Sequence, residues 1–138
     1  KEQSQNVKSK YKAEIQKKMC DITRTLKEEL QKNNINVMGE LLHENWMLKK
    51  SLASGITNSL INNIYERALE AGATGGKLLG AGGAGFMLFY VPENKQNNVR
   101  NTLSDLREMD FEMDNSGASI VQIDKDSIWK FYVSIKGI

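Results

Sequence analysis

An α+β domain, a mainly antiparallel four-stranded sheet packed against helices, is the fold class this sequence predicts, and three observations predict it. Up to Leu69 the apolar residues recur every three or four positions. Beyond Gly75 the spacing shortens to two, and the resulting segments run as three helices followed by β, β, α, β, β. Periods of about 3.6 and 2 mark one-sided helices and half-buried strands respectively. Helices gathered ahead of the strands, with no regular alternation between the two, favour an antiparallel sheet with helices laid on it.

The first helix is expected over about residues 7–32, where Val7, Tyr11, Ile15, Met19, Ile22, Leu26 and Leu30 form one apolar stripe with Cys20 just beside it. Lys32-Asn33-Asn34 ends it. Met38, Leu41, Leu42, Leu48 and Leu52 mark a second helix, broken by the stretch from Ser51 to Gly55. A third begins at Thr57 or Asn58 as N-cap, carries Ile61, Ile64, Tyr65, Ala68 and Leu69 on one face, and finds a C-terminal cap in Gly72. Lys77–Leu79 and Phe86–Val91 read as short buried strands, the second closed by Pro92. Val99, Leu103 and Leu106 mark a fourth helix. Ser119, Val121 and Ile123 against Ala118, Ile120 and Gln122 predict another strand, and the strict alternation of Trp129, Phe131, Val133 and Ile135 with Lys130, Tyr132 and Ser134 predicts a last one.

Composition narrows the function. A chain of 138 residues is one ordinary domain. Its net charge of +2 is too small for the basic field that drives nonspecific nucleic-acid binding, so no nucleic-acid partner is expected. The sole cysteine, Cys20, and sole histidine, His43, exclude an internal disulfide and a Cys/His zinc cage, which fits a reducing cytosol and a cytoplasmic protein. Phe86–Val91 is the longest apolar run, far below the ~20 residues that span a bilayer, so no membrane partner is expected. A polar start at Lys1 without methionine suggests a fragment of a longer chain.

The most informative stretch is Gly80-Ala81-Gly82-Gly83-Ala84-Gly85, a glycine-dense turn between two apolar strands. Glycine takes positive φ without penalty and lets backbone N–H groups approach a partner, often an anion. Ordering such a loop costs much conformational entropy, which a ligand or a packing contact must offset. Two readings therefore stand side by side: a turn facing phosphate, or a tight hairpin that lets a helix pack closely. Gly80-x-Gly82-x-x-Gly85 matches the dinucleotide fingerprint, with Asp105 twenty residues on, yet that motif needs a helix to begin at the glycines, and Phe86-Met-Leu-Phe-Tyr-Val is a strand. The P-loop signature and the protein-kinase catalytic motifs are missing from the chain.

His43, Trp46 and Lys50 recur at i, i+3, i+7 on a face away from Leu41 and Leu48. An aromatic ring, an imidazole and an ammonium together could line a sugar or phosphate cleft. The competing reading is a solvent-facing or interdomain surface. Lys77, just before the glycines, either joins that cleft or snorkels over a sheet face. No carboxylate pair stands out as a catalytic base or a metal site. Cys20, with no basic or histidine partner in its pattern, reads as a packing residue.

From Gly39 to Tyr90 the chain resembles the C-terminal half of the GHMP small-molecule kinases. Gly72-Ala-Thr-Gly-Gly-Lys-Leu-Leu-Gly-Ala-Gly-Gly-Ala-Gly85 is similar to that family's third conserved motif, with Ala84 where a glycine is usual and Leu79 where many relatives carry Ser or Thr. Leu42-His-Glu-Asn-Trp-Met-Leu-Lys-Lys-Ser-Leu52, followed by Gly55-Ile56, resembles the sugar-kinase branch that acts on D-glycero-D-manno-heptose 7-phosphate. The resemblance implies a ferredoxin-like core, transfer of the ATP γ-phosphate to the anomeric hydroxyl of that sugar phosphate, and Mg²⁺ as the metal. It implies further that the main phosphate loop, the Mg²⁺ ligands and any catalytic aspartate lie in an N-terminal domain outside these residues. No catalytic residue is thus expected within them, and the piece alone is expected to be inactive and to dimerise through its uncovered apolar face. A noncatalytic ferredoxin-like binding or regulatory module, or a kinase for galactose, fucose or mevalonate, is the alternative.

Overall fold

In the computed structural model the described residues are 2–53, 55–80 and 85–111. They form α1 (Glu2–Gln31), α2 (Met38–Leu52), α3 (Ser59–Ala71), β1 (Gly75–Leu79), β2 (Phe86–Tyr90) and α4 (Gln96–Thr102), with single 3₁₀ turns at Ile35–Val37 and Glu93–Lys95. The strands pair antiparallel from Gly75↔Tyr90 to Leu79↔Phe86. The α+β class therefore holds, with a two-stranded sheet among the described residues. The two further strands expected around residues 119–123 and 129–135 lie outside them, so the four-stranded sheet rests on sequence alone.

Local chemistry explains where the elements begin and end. Asn33, with φ of 60°, turns the chain out of α1. Asn58 caps α3, its Oδ1 accepting from the Ile61 N–H at 2.9 Å. Gly72 ends α3 at φ 117°, a conformation that costs a residue with Cβ dearly. On α3 the expected stripe is the buried one: Ile61, Ile64, Tyr65 and Ala68 are all buried.

Helix α2 departs from the expected pattern. Its buried residues are Gly39, Leu42 and Trp46, whereas Met47 is exposed. Trp46, placed by its spacing on a polar face, is 0 % exposed. The reason is that α2 is packed on two sides, by α1 on one and by β1 with Tyr65 of α3 on the other. Leu41 and Leu42 meet α1, where Asn45 Nδ2 also donates to the Met19 carbonyl at 3.4 Å, while Trp46 packs toward Tyr65 on α3. A helix packed on two sides buries a wide arc, so a count of leucines misjudges which side is polar.

The core has two clusters. Trp46, Ile61, Tyr65 and Leu78 form one, with Ile56, Met87 and Phe89 against it. Ala68, Ala71, Ala73 and Val99 form the other, and Leu69 and Phe89 bridge the two. Each fully buried large side chain contributes about 1.5–3 kcal/mol. Alanines at the second cluster let the α3–β1 connection approach α4 closely. Arg67 then ties α3 to the segment after α4, reaching Asp105 Oδ1 at 2.5 Å and Oδ2 at 3.1 Å and donating to the Thr102 carbonyl. Asp105, the acid at fingerprint distance from Gly85, is thus occupied as the guanidinium's partner.

Candidate functional site

The β1–β2 hairpin supplies the first part of the site. Leu79↔Phe86 is its last pair, and residues 80–85 connect the two strands. The described ends of that connection are both left-handed, Gly80 at φ 102° and Gly85 at φ 133°. An L side chain is strained at either position, and a Cβ on Gly85 would overlap the Leu79 carbonyl oxygen. Ala81, Gly82, Gly83 and Ala84 lie outside the described residues. The residue after the turn opens a strand and not a helix, so the dinucleotide-fold geometry is excluded as expected.

The chain's other tight glycines do a different job. A Cβ on Gly39 would overlap the Thr74 hydroxyl, and one on Gly75 would overlap the Gly39 carbonyl. Backbone meets backbone where α2 crosses the start of β1, and only glycine permits it. A Cβ on Gly76 would collide with the Leu88 carbonyl and the Phe89 ring. Close packing thus accounts for Gly39, Gly75 and Gly76, while positive φ accounts for Gly80 and Gly85. The sequence reading quoted Gly75 and Gly76 within the family motif but gave none of the first three a packing role; the pairing of Gly39 with Gly75, 36 positions apart, has no local signal.

The second part is an aromatic cluster centred on Tyr65. Its ring lies 5.8 Å from His43, 6.2 Å from Trp46 and 5.8 Å from Phe89, centroid to centroid. The phenol oxygen is 2.8 Å from His43 Nδ1 and 3.4 Å from the Gly76 carbonyl, which accepts from it. A single hydroxyl proton serves one of these at a time. Directed to Gly76, it leaves His43 as the donor through Nδ1–H. Burial pushes the Tyr65 phenol above its usual pKa, so it stays neutral and keeps that proton to donate. Sequence spacing alone placed His43 with Trp46 and Lys50. The structure reveals Tyr65 as the residue that joins them; its place in the core stripe of α3 concealed the polar role of its hydroxyl.

Lys50 completes the cluster, its Nζ 5.8 Å from the Trp46 ring centroid and 5.7 Å from that of Tyr65. His43, Trp46 and Lys50 are indeed neighbours around Tyr65, yet Trp46 does not lie on a surface. Trp46 is core, and its indole N–H is buried without a partner among the described residues. His43 is turned to Tyr65.

Lys77 stands elsewhere. It lines a groove of about 370 Å³ with Met19, Cys20, Leu26, Leu41 and Asn45, which none of His43, Trp46 or Lys50 lines. Cys20 is exposed on the edge of that groove and is not the packing residue expected from its place beside the α1 stripe. Among the described residues no group of three or more His, Cys, Asp or Glu could hold a metal ion, so these residues do not fit a Mg²⁺ site. No described helix is long and apolar enough to cross a membrane.

A family model described as the C-terminal domain of GHMP kinases matches residues 26–109. D-glycero-alpha-D-manno-heptose 7-phosphate kinase of Campylobacter jejuni is 34% identical over 74 residues, 54% of this chain and 22% of that protein. Mevalonate kinase of Methanothermobacter thermautotrophicus is 41% identical over 71 residues, 51% of this chain and 23% of that protein. The bifunctional fucokinase/GDP-fucose pyrophosphorylase of Arabidopsis thaliana is 26% identical over 100 residues, 72% of this chain and 9% of that protein. The matched region thus spans less than a quarter of each relative's length.

Proposed function

Since this chain belongs to the GHMP kinase C-terminal domain family, we propose that the complete protein is an ATP-dependent kinase acting on D-glycero-D-manno-heptose 7-phosphate, and that these residues form its C-terminal domain. The reaction moves the γ-phosphoryl group of ATP to the anomeric hydroxyl of the sugar, giving the 1,7-bisphosphate and ADP. The observation that carries the reading is the β1–β2 hairpin, with left-handed glycines at both described ends of its connection, inside the stretch that the GHMP kinase C-terminal family model matches, in a chain 34% identical over 74 residues to a heptose 7-phosphate kinase.

Phosphoryl transfer needs positioning and neutralisation of phosphate charge more than covalent chemistry from the protein. A turn rich in glycine suits that task because its backbone N–H groups can reach phosphate oxygens that side chains would keep away. Mg²⁺ supplies charge neutralisation when bound, and we assign its ligands, with the main phosphate loop and any catalytic aspartate, to an N-terminal domain. Residues 80–85 contribute donors to a phosphate, and the Gly39–Gly75 contact fixes where the hairpin carrying them stands.

The test is ATP consumption by the complete protein with heptose 7-phosphate beside galactose, mannose, fucose and mevalonate, with the Lys1–Ile138 chain in parallel. Turnover on heptose 7-phosphate by the complete protein, and none by the chain alone, is expected. Turnover confined to another acceptor would keep the kinase and replace the substrate; no turnover on any would refute the reading in favour of a noncatalytic module. Gly83→Val in the complete protein should abolish turnover while leaving Tm near that of the parent, whereas a turn kept for packing would lose Tm first. Sedimentation of the isolated chain is expected to show a dimer, formed through the apolar face the second domain would cover.

A further inference from the structure

The aromatic cluster under α2 holds one positive charge that no described group balances. Four ion pairs occur among the described residues, made by Arg24, Lys32, Arg67 and Arg100. Lys50 is in none of them. Its half-buried side chain instead carries Nζ to within 6 Å of two ring centroids. Rings at that distance attract an ammonium and restrict where it sits without neutralising it. Lys49, its neighbour in the same last turn of α2, makes no such contact among the described residues, so the favourable helix C-terminus that both share does not explain the placement.

Where Lys50 stands follows from the way α2 runs beside β1. Gly39 touches Gly75, Asn45 shares a groove with Lys77, and Trp46 shares a core cluster with Leu78. Helix and strand therefore run in the same direction. The two lengths agree: seven helical residues from Gly39 to Trp46 rise about 10.5 Å, and three strand residues from Gly75 to Leu78 rise about 10 Å. Four more helical residues, about 6 Å, bring Lys50 level with Gly80, two strand residues past Leu78. The sheet is open at that end, where the paired Leu79 and Phe86 are 41% and 38% exposed. His43, seven residues earlier on α2, stands against Gly75 at the start of β1 and is spent on Tyr65.

We propose that Lys50 is a phosphate-binding residue of this domain, its ammonium held over Trp46 and Tyr65, level with Gly80, to receive a substrate phosphate where β1 gives way to the turn. The assignment rests on the kinase reading for the source of that phosphate, which is either the one already on the sugar or one of ATP. The aromatic pair sets the position of the charge. With no carboxylate partner among the described residues, the charge is left to an anion, and a charge-assisted contact of this kind is among the stronger polar interactions.

Two measurements on the complete protein test it. In the first, protein labelled with ¹³C at lysine is titrated with inorganic phosphate, and the Cε resonance of Lys50, identified by its absence in Lys50→Arg, is followed. A saturable shift at Lys50 is expected. In the second, KM is determined separately for ATP and for heptose 7-phosphate in Lys50→Met, Lys50→Arg and Lys49→Met. Lys50→Met should raise one of the two by about tenfold or more, the loss expected for one hydrogen bond to a charged group. Lys50→Arg should recover most of the loss and Lys49→Met should behave as the parent. A rise for the sugar phosphate places the acceptor's phosphate on Lys50, and a rise for ATP places the nucleotide's there. A Lys50 resonance that ignores phosphate, with both KM values unchanged, overturns the proposal. Should Lys50→Met fail to fold, the titration of the parent decides. A protein inactive on every acceptor that still shows the saturable shift would remove the kinase reading and leave the phosphate site standing.

Discussion

Gly75→Ala tests whether α2 and β1 meet backbone to backbone. The added methyl would lie 2.7 Å from the Gly39 carbonyl carbon and 2.9 Å from His43 Cβ, and would overlap the Gly39 oxygen. Carbon atoms in contact sit about 3.5–4.0 Å apart, so helix and strand must separate by about 1 Å. Neither side can yield by rotating a side chain, because the groups in the way are helix backbone and a Cβ. Overpacking of this kind costs about 1–3 kcal/mol, reduced by less than about 1 kcal/mol because alanine restricts the unfolded chain. The net of about 0.5–2.5 kcal/mol is, for a chain of this size, a fall in Tm of about 2–10 °C. Gly55→Ala is the control, since a Cβ there meets nothing within 4 Å and the backbone is not left-handed. Thermal denaturation of both, followed by circular dichroism, should show a loss for Gly75→Ala and none for Gly55→Ala. Equal Tm values for Gly75→Ala and the parent would refute the close-contact argument, as would an equal fall in both variants.

Three more expectations follow from the cluster and the surface clamp. Trp46→Ala should cost about 3–5 kcal/mol as a cavity in the core, whereas Trp46→Phe, which also removes the unpartnered indole N–H, should cost distinctly less in the same denaturation experiment. Tyr65→Phe strips a partner from His43 and from the Gly76 carbonyl, a loss of about 1–3 kcal/mol seen as a lower denaturant midpoint with unchanged slope. Arg67, hydrogen-bonded to Asp105, holds that carboxyl below its ordinary pKa. Its stabilising contribution is therefore complete above the ordinary carboxylate pKa and disappears as pH falls through the lowered value. Asp105→Asn should flatten the acid side of a Tm-against-pH curve and leave the neutral region little changed; an unchanged acid limb would count against the clamp.

Much of the architecture is written in short-range pattern. The stripe Ile61, Ile64, Tyr65, Ala68 marks α3 because 3.6 residues bring those positions to one side, and Asn58 and Gly72 mark its ends because a side-chain acceptor and a left-handed residue satisfy helix termini. The change of period at Gly75 and the glycine run locate a hairpin before any tertiary contact is known. The need for glycine at Gly80 and Gly85 is legible too, since both take positive φ beside the paired strands, whereas the phosphate role of the stretch is our proposal.

Which face of α2 is core was decided only by assembly. Periodicity reports one apolar side, and α2 is packed on two sides, so Trp46 turned inward against the expectation from its polar neighbours. The separation of Lys77 from Lys50 has the same origin: the two lysines sit on different elements, and the way α2 crosses β1 leaves Lys77 in a groove that Lys50 does not line. Gly39 against Gly75, His43 against Tyr65 and Arg67 against Asp105 join residues 36, 22 and 38 positions apart. By itself the sequence determined α2, α3, the two paired strands and the family, because caps, periods and motifs act within a few residues; α4 stops at Thr102, short of the expected Leu103 and Leu106. The packing that gives individual side chains their roles was left to tertiary structure, because it depends on surfaces that meet only once those elements are assembled.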